Sequence, residues 1–192
     1  MFWAKRMTED LLSALPIADA YVARSEPKGD ARGSFMRLFC ANDFAEANGG
    51  REIVQINWSH TTMAGTVRGL HFQEGADADA KWVRCLKGHV WDVIVDLRRD
   101  SPTFLQWHAV ELSADNSRAV FIPEGCAHGF QSLEADSSLL YLHTAFYKPD
   151  AERGIAFDDP QVAIAWPREV VLVSERDRGL PTVHAAMDLA AR

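Results

Sequence analysis

Two residues able to move or hold charge at a carbonyl stand ten positions apart in this chain: His71, within Arg68-Gly69-Leu70-His71-Phe72-Gln73, and Lys81. A second histidine follows in Pro123-Glu124-Gly125-Cys126-Ala127-His128-Gly129-Phe130. A histidine can take a proton from carbon near neutral pH, and a lysine ammonium can hold the negative charge left on an adjacent carbonyl oxygen. The pairing points to chemistry next to a ketone. Taken singly, each of these residues is equally at home as an ordinary surface or core side chain. Their joint occurrence carries the reading.

Such groups need a rigid frame, and the sequence offers a β one. Val83 to Cys85, Val90 to Leu97, His108 to Leu112, Ala119 to Ile122 and Leu139 to Phe146 are short β-favouring runs. They are separated by turn signals at Lys87-Gly88, Arg99-Asp100-Ser101-Pro102 and Ala114-Asp115-Asn116. Many short strands at close spacing predict an all-β sandwich or closed barrel. We expect one domain over 1–192, with an N-terminal extension at 1–25, a barrel at 26–147 and a C-terminal segment at 148–192. Leu11, Leu12 and Leu15 have the spacing of a short helix in the extension, and Thr182 to Ala191 reads as a terminal helix.

Alternation along a strand sorts side chains by face. Trp91, Val93, Val95 and Leu97 share one face, and Asp92 and Asp96 lie on the other with Val90 and Ile94. An acid among apolar neighbours on an inward face is costly unless paired. Tyr141 and His143 share a face, opposite Leu140 and Leu142, and His71 points away from Leu70 and Phe72.

Composition narrows the function. At 192 residues, 47% hydrophobic and 24% charged, the chain can bury a sizeable core. The formal charge of −7 argues against a general nucleic-acid binder, which needs a basic face for phosphates. The three cysteines, Cys40, Cys85 and Cys126, form no C-x-x-C pair and fit a reducing cytoplasm. The apolar runs are strand-sized and the N-terminus lacks a signal-peptide pattern, so no membrane association is expected.

Pro123-x-Gly125-x-x-His128 resembles the second motif of the cupin barrels, where the histidine points inward. The metal site of those barrels also needs two histidines one residue apart, and none of the seven histidines here forms a His-x-His. No metal is expected.

The full set of motifs is collinear with one family. Asp30-Ala-Arg32-Gly33, Gln55-Ile-Asn57, Arg68 to Gln73, Lys81-Trp-Val-Arg84, Asp92-Val-Ile-Val-Asp96-Leu-Arg98, Ser101-Pro-Thr-Phe104, Ile122 to Phe130, Tyr141 and Glu152-Arg-Gly154 resemble the dTDP-4-dehydrorhamnose 3,5-epimerase family. The resemblance runs from about Gly29 to Asp177. It implies a metal-free, cofactor-free cupin-like jelly roll that inverts C3 and/or C5 of a 4-keto-6-deoxyhexose nucleotide.

It also implies roles. His71 is the general base, Asp177 orients and charges it, Lys81 faces the C4 oxygen, Tyr141 returns a proton from the opposite face, and His128 and Asp92 support them. Arg32, Gln55, Asn57 and Arg68 contact the nucleotide diphosphate, and Phe146 stacks on the base. The chain departs from the family at Arg37, where a glutamate is usual, and at Trp58, Leu142 and Phe146, where histidine, lysine and tyrosine are usual. Arg37 reverses a charge near the expected nucleotide. The family works as a homodimer whose N-terminal strand reaches the partner's site. Two alternatives stay open: a sugar-nucleotide ketoisomerase, which shifts the carbonyl, and a catalytically silent nucleotide-sugar-binding barrel.

Overall fold

The computed structural model describes residues 11–190. Its strands are β1 (Leu12–Ala14), β2 (Tyr21–Arg24), β3 (Lys28–Asp30), β4 (Gly33–Phe35), β5 (Gln55–Thr61), β6 (Val67–Gln73), β7 (Lys81–Lys87), β8 (His89–Asp96), β9 (Trp107–Ser113), β10 (Arg118–Ile122), β11 (Cys126–Ser132), β12 (Ser137–His143) and β13 (Glu152–Gly154). Near the C-terminus lie α1 (Glu175–Arg178) and α2 (Val183–Ala190). A six-stranded sheet in the order β1-β2-β10-β7-β12-β5 faces a five-stranded sheet, β13-β6-β11-β8-β9, and β3 and β4 form a separate hairpin. This is the cupin-like jelly roll that the strand spacing and the proline-glycine-histidine motif led us to expect.

Alternation decides what each face carries. Val83, Cys85, Val120, Ile122 and Leu139 from the larger sheet meet Val90, Ile94, Leu112 and Phe130 from the smaller one in the shared core. Each such side chain, taken fully out of water, stabilises the fold by about 1.5–3 kcal/mol. The outer face of the larger sheet buries Trp82 and Phe121 under Phe44. The outer face of the smaller sheet buries Leu70, Val93 and Val95 under Ile155, Val162 and Val183. Trp91 there meets Trp107 and Trp166 edge-on at 5.6 and 5.7 Å. The two faces read from the Trp91–Leu97 alternation are the observed ones.

Of the expected N-terminal helix, Leu11 is helical, and the expectation is corrected from Leu12 onward. Leu12–Ala14 is an edge strand that pairs antiparallel with Tyr21–Arg24, and β2 in turn pairs with β10. Pairing across the sheet overrides the local spacing of the leucines. The rest of that expected helix, at residues 1–10, lies outside the described residues. The terminal helix is found as α2.

The two inward acids are both paired. Asp96 is fully buried and accepts from Arg98 Nε at 2.9 Å, Ser101 Oγ at 2.5 Å and Thr103 Oγ1 at 2.7 Å. Burial alone raises its pKa, but the bonds from Arg98, Ser101 and Thr103 outweigh it and hold the carboxyl at about 2, below its ordinary 3.8. A carboxyl lowered on folding stabilises the native state above its unfolded pKa, and that contribution is lost as pH falls through the folded value. We expect about 2 kcal/mol of stability to disappear between roughly pH 4 and pH 2. Urea unfolding across that window checks it, because Asp96→Asn should flatten this part of the acid dependence.

Candidate active site

Register brings the chemistry-bearing residues to one end of the sandwich. On the larger sheet, His143 lies opposite Lys81 and Gln55, and Tyr141 lies opposite Asn57. On the smaller sheet, His128 lies opposite His71. The alternation that buries Leu70, Trp82, Ala127 and Leu142 in the outer layers therefore turns His71, Lys81, His128, Tyr141 and His143 into the interior. A cleft of about 70 Å³ opens there, with Gln55, Asn57, His71, Gln73, His143 and Tyr147 among its lining. A larger hollow of about 440 Å³ lies near β2 and β9 and contains none of the expected catalytic residues.

His71 is held by an acid from a distant part of the chain. Its Nε2 lies 2.8 Å from Asp177 Oδ1, and the Gly69 amide donates to Asp177 Oδ2 at 3.1 Å. Val67 N donates to Leu172 O at 2.9 Å, which ties the strand-like segment before α1 to β6. Ser174 then caps the short helix by accepting from the Asp177 amide at 3.1 Å. Burial raises the Asp177 pKa, but the bonds from His71 and Gly69 prevail and bring it below the ordinary value. An anionic carboxylate on one imidazole nitrogen fixes the tautomer and supports the imidazolium. The other nitrogen, Nδ1, is the one left to accept a proton.

The approach of β6 to β11 depends on two glycines. A Cβ at Gly69, where φ is +125°, would sit 2.6 Å from the Gly129 Cα. The register shifts between His128 and Phe130 at the same place. Small residues here let the strands close so that both imidazoles share one chamber.

His128 Nε2 meets Asp92 Oδ2 at 2.9 Å, and both side chains are buried. Burial lowers the His128 pKa despite the nearby Asp92 charge, so the imidazole is neutral at neutral pH. Burial also lowers the Lys81 pKa, opposed by the charges of Asp79, Asp92 and Glu152. Lys81 Nζ lies 3.8 Å from Asp79 Oδ2. Burial raises the Tyr141 pKa, and its hydroxyl shares a hydrogen bond of 3.1 Å with Ser59 Oγ. A phenol so placed keeps its proton at neutral pH. One sheet thus presents a carboxylate-backed imidazole, and the facing sheet presents the Lys81 amine and a protonated phenol.

Over residues 14–185 the sequence matches the family described as dTDP-4-dehydrorhamnose 3,5-epimerase. The chain belongs to that family. It is 46% identical over 155 residues to the dTDP-4-dehydrorhamnose 3,5-epimerase of Shigella flexneri, covering 79% of this chain and 85% of that protein. It is 37% identical over 178 residues to the dTDP-4-dehydrorhamnose 3-epimerase of Streptomyces niveus, covering 92% and 86%. A crystal structure of the dTDP-6-deoxy-D-glucose-3,5-epimerase of Legionella pneumophila in complex with dTDP-4-keto-L-rhamnose superposes with a TM-score of 0.85 at 38% identity, covering 90% of this chain and 92% of that one. As a member of the dTDP-4-dehydrorhamnose 3,5-epimerase family, the chain is a carbohydrate epimerase, an isomerase.

The binding residues expected from this epimerase family are distributed unevenly. Gln55 and Asn57 line the cleft. Arg68 reaches the His60 carbonyl at 3.2 Å, and its charge acts on the Tyr141 hydroxyl. Arg32 stands on the exposed β3–β4 hairpin and pairs with Asp30 at 2.5 Å. Arg37 is exposed and pairs with Asp43 at 3.2 Å, outside the lining of this protomer's cleft. Phe146 is also outside that lining and 63% exposed, while its neighbour Tyr147 is part of the lining. Gln73 anchors this segment by donating to Phe146 O and accepting from Lys148 N.

The other two departures also point away from the cleft. Trp58 stacks on His60 on the exposed side of β5, and Leu142 is buried in the outer core of the larger sheet. Sequence reasoning missed Asp79, His143, Ser59 and Tyr147. Only His143 carried a signal, through its shared face with Tyr141. Among the described residues, no three His, Cys, Asp or Glu side chains converge to hold a metal ion.

Proposed function

We propose that this chain inverts C3, C5 or both of a 4-keto-6-deoxyhexose nucleotide by proton abstraction next to the C4 ketone. One observation carries the reading: the Asp177-backed His71 and the protonated Tyr141 project from facing sheets into one chamber that also holds Lys81. His71 takes the proton on carbon. Lys81 stabilises the oxyanion of the resulting enolate, and the neutral Tyr141 phenol delivers a proton to the opposite face of the carbon. Asp177 holds His71 in the productive tautomer, while His128 and Asp92 form the buried wall behind it. Gln55, Asn57 and Arg68 bind the nucleotide sugar, with Phe146 and its neighbour Tyr147 as the aromatic end of the site.

The same reading has the enzyme act as a homodimer in the cytoplasm. Support for the dimer lies in the β3–β4 hairpin, whose residues are all exposed and whose Arg32 pairs only locally in this protomer's described contacts. Reaching into a second copy would bring Arg32 to a diphosphate there. Cys85 and Cys126 are buried free thiols, as suits a reducing compartment. Among the described residues no helix is long and apolar enough to cross a membrane.

Incubation with dTDP-4-keto-6-deoxyglucose, followed by NMR of the product, tests the proposal. Inversion at C3, C5 or both is the expected result. A ketone signal moved to another carbon points instead to a ketoisomerase, and no reaction with the dTDP, UDP, GDP or CDP forms of that sugar sinks the epimerase reading. Tyr141→Phe should slow net inversion by about 10²-fold, the lower range for loss of a positioned acid. Hydrogen exchange by His71 should continue in that variant, so exchange outrunning inversion is its signature.

A further inference from the structure

We infer that His143, held by Asp79, is a positioning residue that fixes the Asn57 carboxamide so that its carbonyl oxygen meets a hydroxyl of the bound hexose. This rests on the nucleotide-sugar reading and adds which part of the substrate Asn57 recognises. Asp79 is buried, and its Oδ2 lies 2.7 Å from His143 Nδ1. A carboxylate only accepts, so Nδ1 carries the hydrogen and Nε2 faces Asn57 with its lone pair. Asp79 is itself fixed, since its Oδ1 accepts from the Ala145 amide at 3.3 Å and Lys81 stands 3.8 Å from Oδ2. The ring is held from its flat side by Tyr141, whose centroid lies 6.1 Å away with 16° between planes.

That lone pair selects the partner atom on Asn57. Nε2 lies 3.3 Å from Asn57 Nδ2, so the amide nitrogen donates to the imidazole. Oδ1 is left to the cleft as an acceptor. Phosphate oxygens also only accept, so this oxygen has nothing to offer a diphosphate, whereas a sugar hydroxyl can donate to it. Position agrees with chemistry. On the same face of β5, Gln55 accepts from the Tyr147 amide at 3.1 Å and Ser59 bonds the Tyr141 hydroxyl at 3.1 Å. Asn57 stands between them, at the junction of the aromatic end and the proton-transfer end, where the hexose belongs. Asp79 thereby anchors both Lys81 and the sugar-recognition group.

Calorimetric binding of dTDP-glucose and of dTDP tests this without requiring turnover. His143→Phe keeps the ring's shape and its stacking on Tyr141 but removes both nitrogens. It should weaken dTDP-glucose about tenfold, the cost of one lost hydrogen bond, and change dTDP by about twofold or less. His143→Gln loses the ring but can place an amide oxygen where Nε2 lies, so it should stay within about threefold of the wild type for both ligands. A role confined to packing predicts the reverse order, with phenylalanine tolerated and glutamine not, and that order overturns the inference. Equal weakening of both ligands overturns it too. Asn57→Leu should match His143→Phe, with the double variant no weaker than either, because the two act as one unit; independent, multiplying losses contradict it. Failure of the wild type to bind either ligand removes the nucleotide-sugar reading itself.

Discussion

His71→Asn should lower hydrogen exchange at the carbon beside the ketone by about 10²–10⁴-fold, the range for losing a positioned general base. Asparagine keeps a polar group of similar reach but cannot take a proton near neutral pH. The fold should survive, because His71 is part-exposed at the mouth of the chamber and its partner Asp177 keeps the Gly69 amide bond and the Ser174 cap. Nucleotide affinity should also persist, since the groups assigned to binding lie on β5, on Arg68 and at Tyr147. Single-turnover exchange with calorimetry on the same preparation separates these effects. Lost exchange with retained affinity identifies a base; joint loss would mark His71 as a structural residue.

Lys81→Met should reduce turnover by about 10²–10³-fold, the cost of removing one preorganised donor from a developing oxyanion. Methionine fills the space left by the lysine stem, so the loss reports charge more than volume. The substitution also leaves Asp79 without its ammonium neighbour, but Asp79 retains His143 and the Ala145 amide. Burial sets a pH signature for the wild type. Because it lowers the Lys81 pKa, the ammonium is lost at a pH below 10.5, the ordinary lysine value. Turnover should therefore fall on the alkaline side before 10.5, and that limb should be missing in the methionine variant. A loss of only a few-fold would hand the oxyanion to another donor.

Much of this arrangement was legible in the order of residues, because period-two alternation is a property of the local chain. The runs around Val83, Val90, His108, Ala119 and Leu139 became β7, β8, β9, β10 and β12, and the face assignments of Asp92, His71 and Tyr141 follow from the pleat alone. Where local spacing competed with pairing, it lost: Leu12 sits in an edge strand because β2 provides its hydrogen-bond partners. Nothing in a single sequence fixes which of the adjacent rings Phe146 and Tyr147 lines the cleft, and Tyr147 does. Asp79 and His143 are 64 residues apart and meet only through register, so neither advertises the other. The pairing of Arg37 with Asp43 could not be read from charge alone.

The central claim is that His71 removes a proton from carbon next to a C4 ketone, with Tyr141 supplying one from the other face. Its most direct test is NMR of dTDP-4-keto-6-deoxyglucose held with the wild-type protein in D₂O. The account predicts deuterium at C3, at C5 or at both, appearing with the inverted sugar and absent with His71→Asn. A substrate that stays fully protonated at both carbons, while the protein is folded and binds the nucleotide, would contradict it.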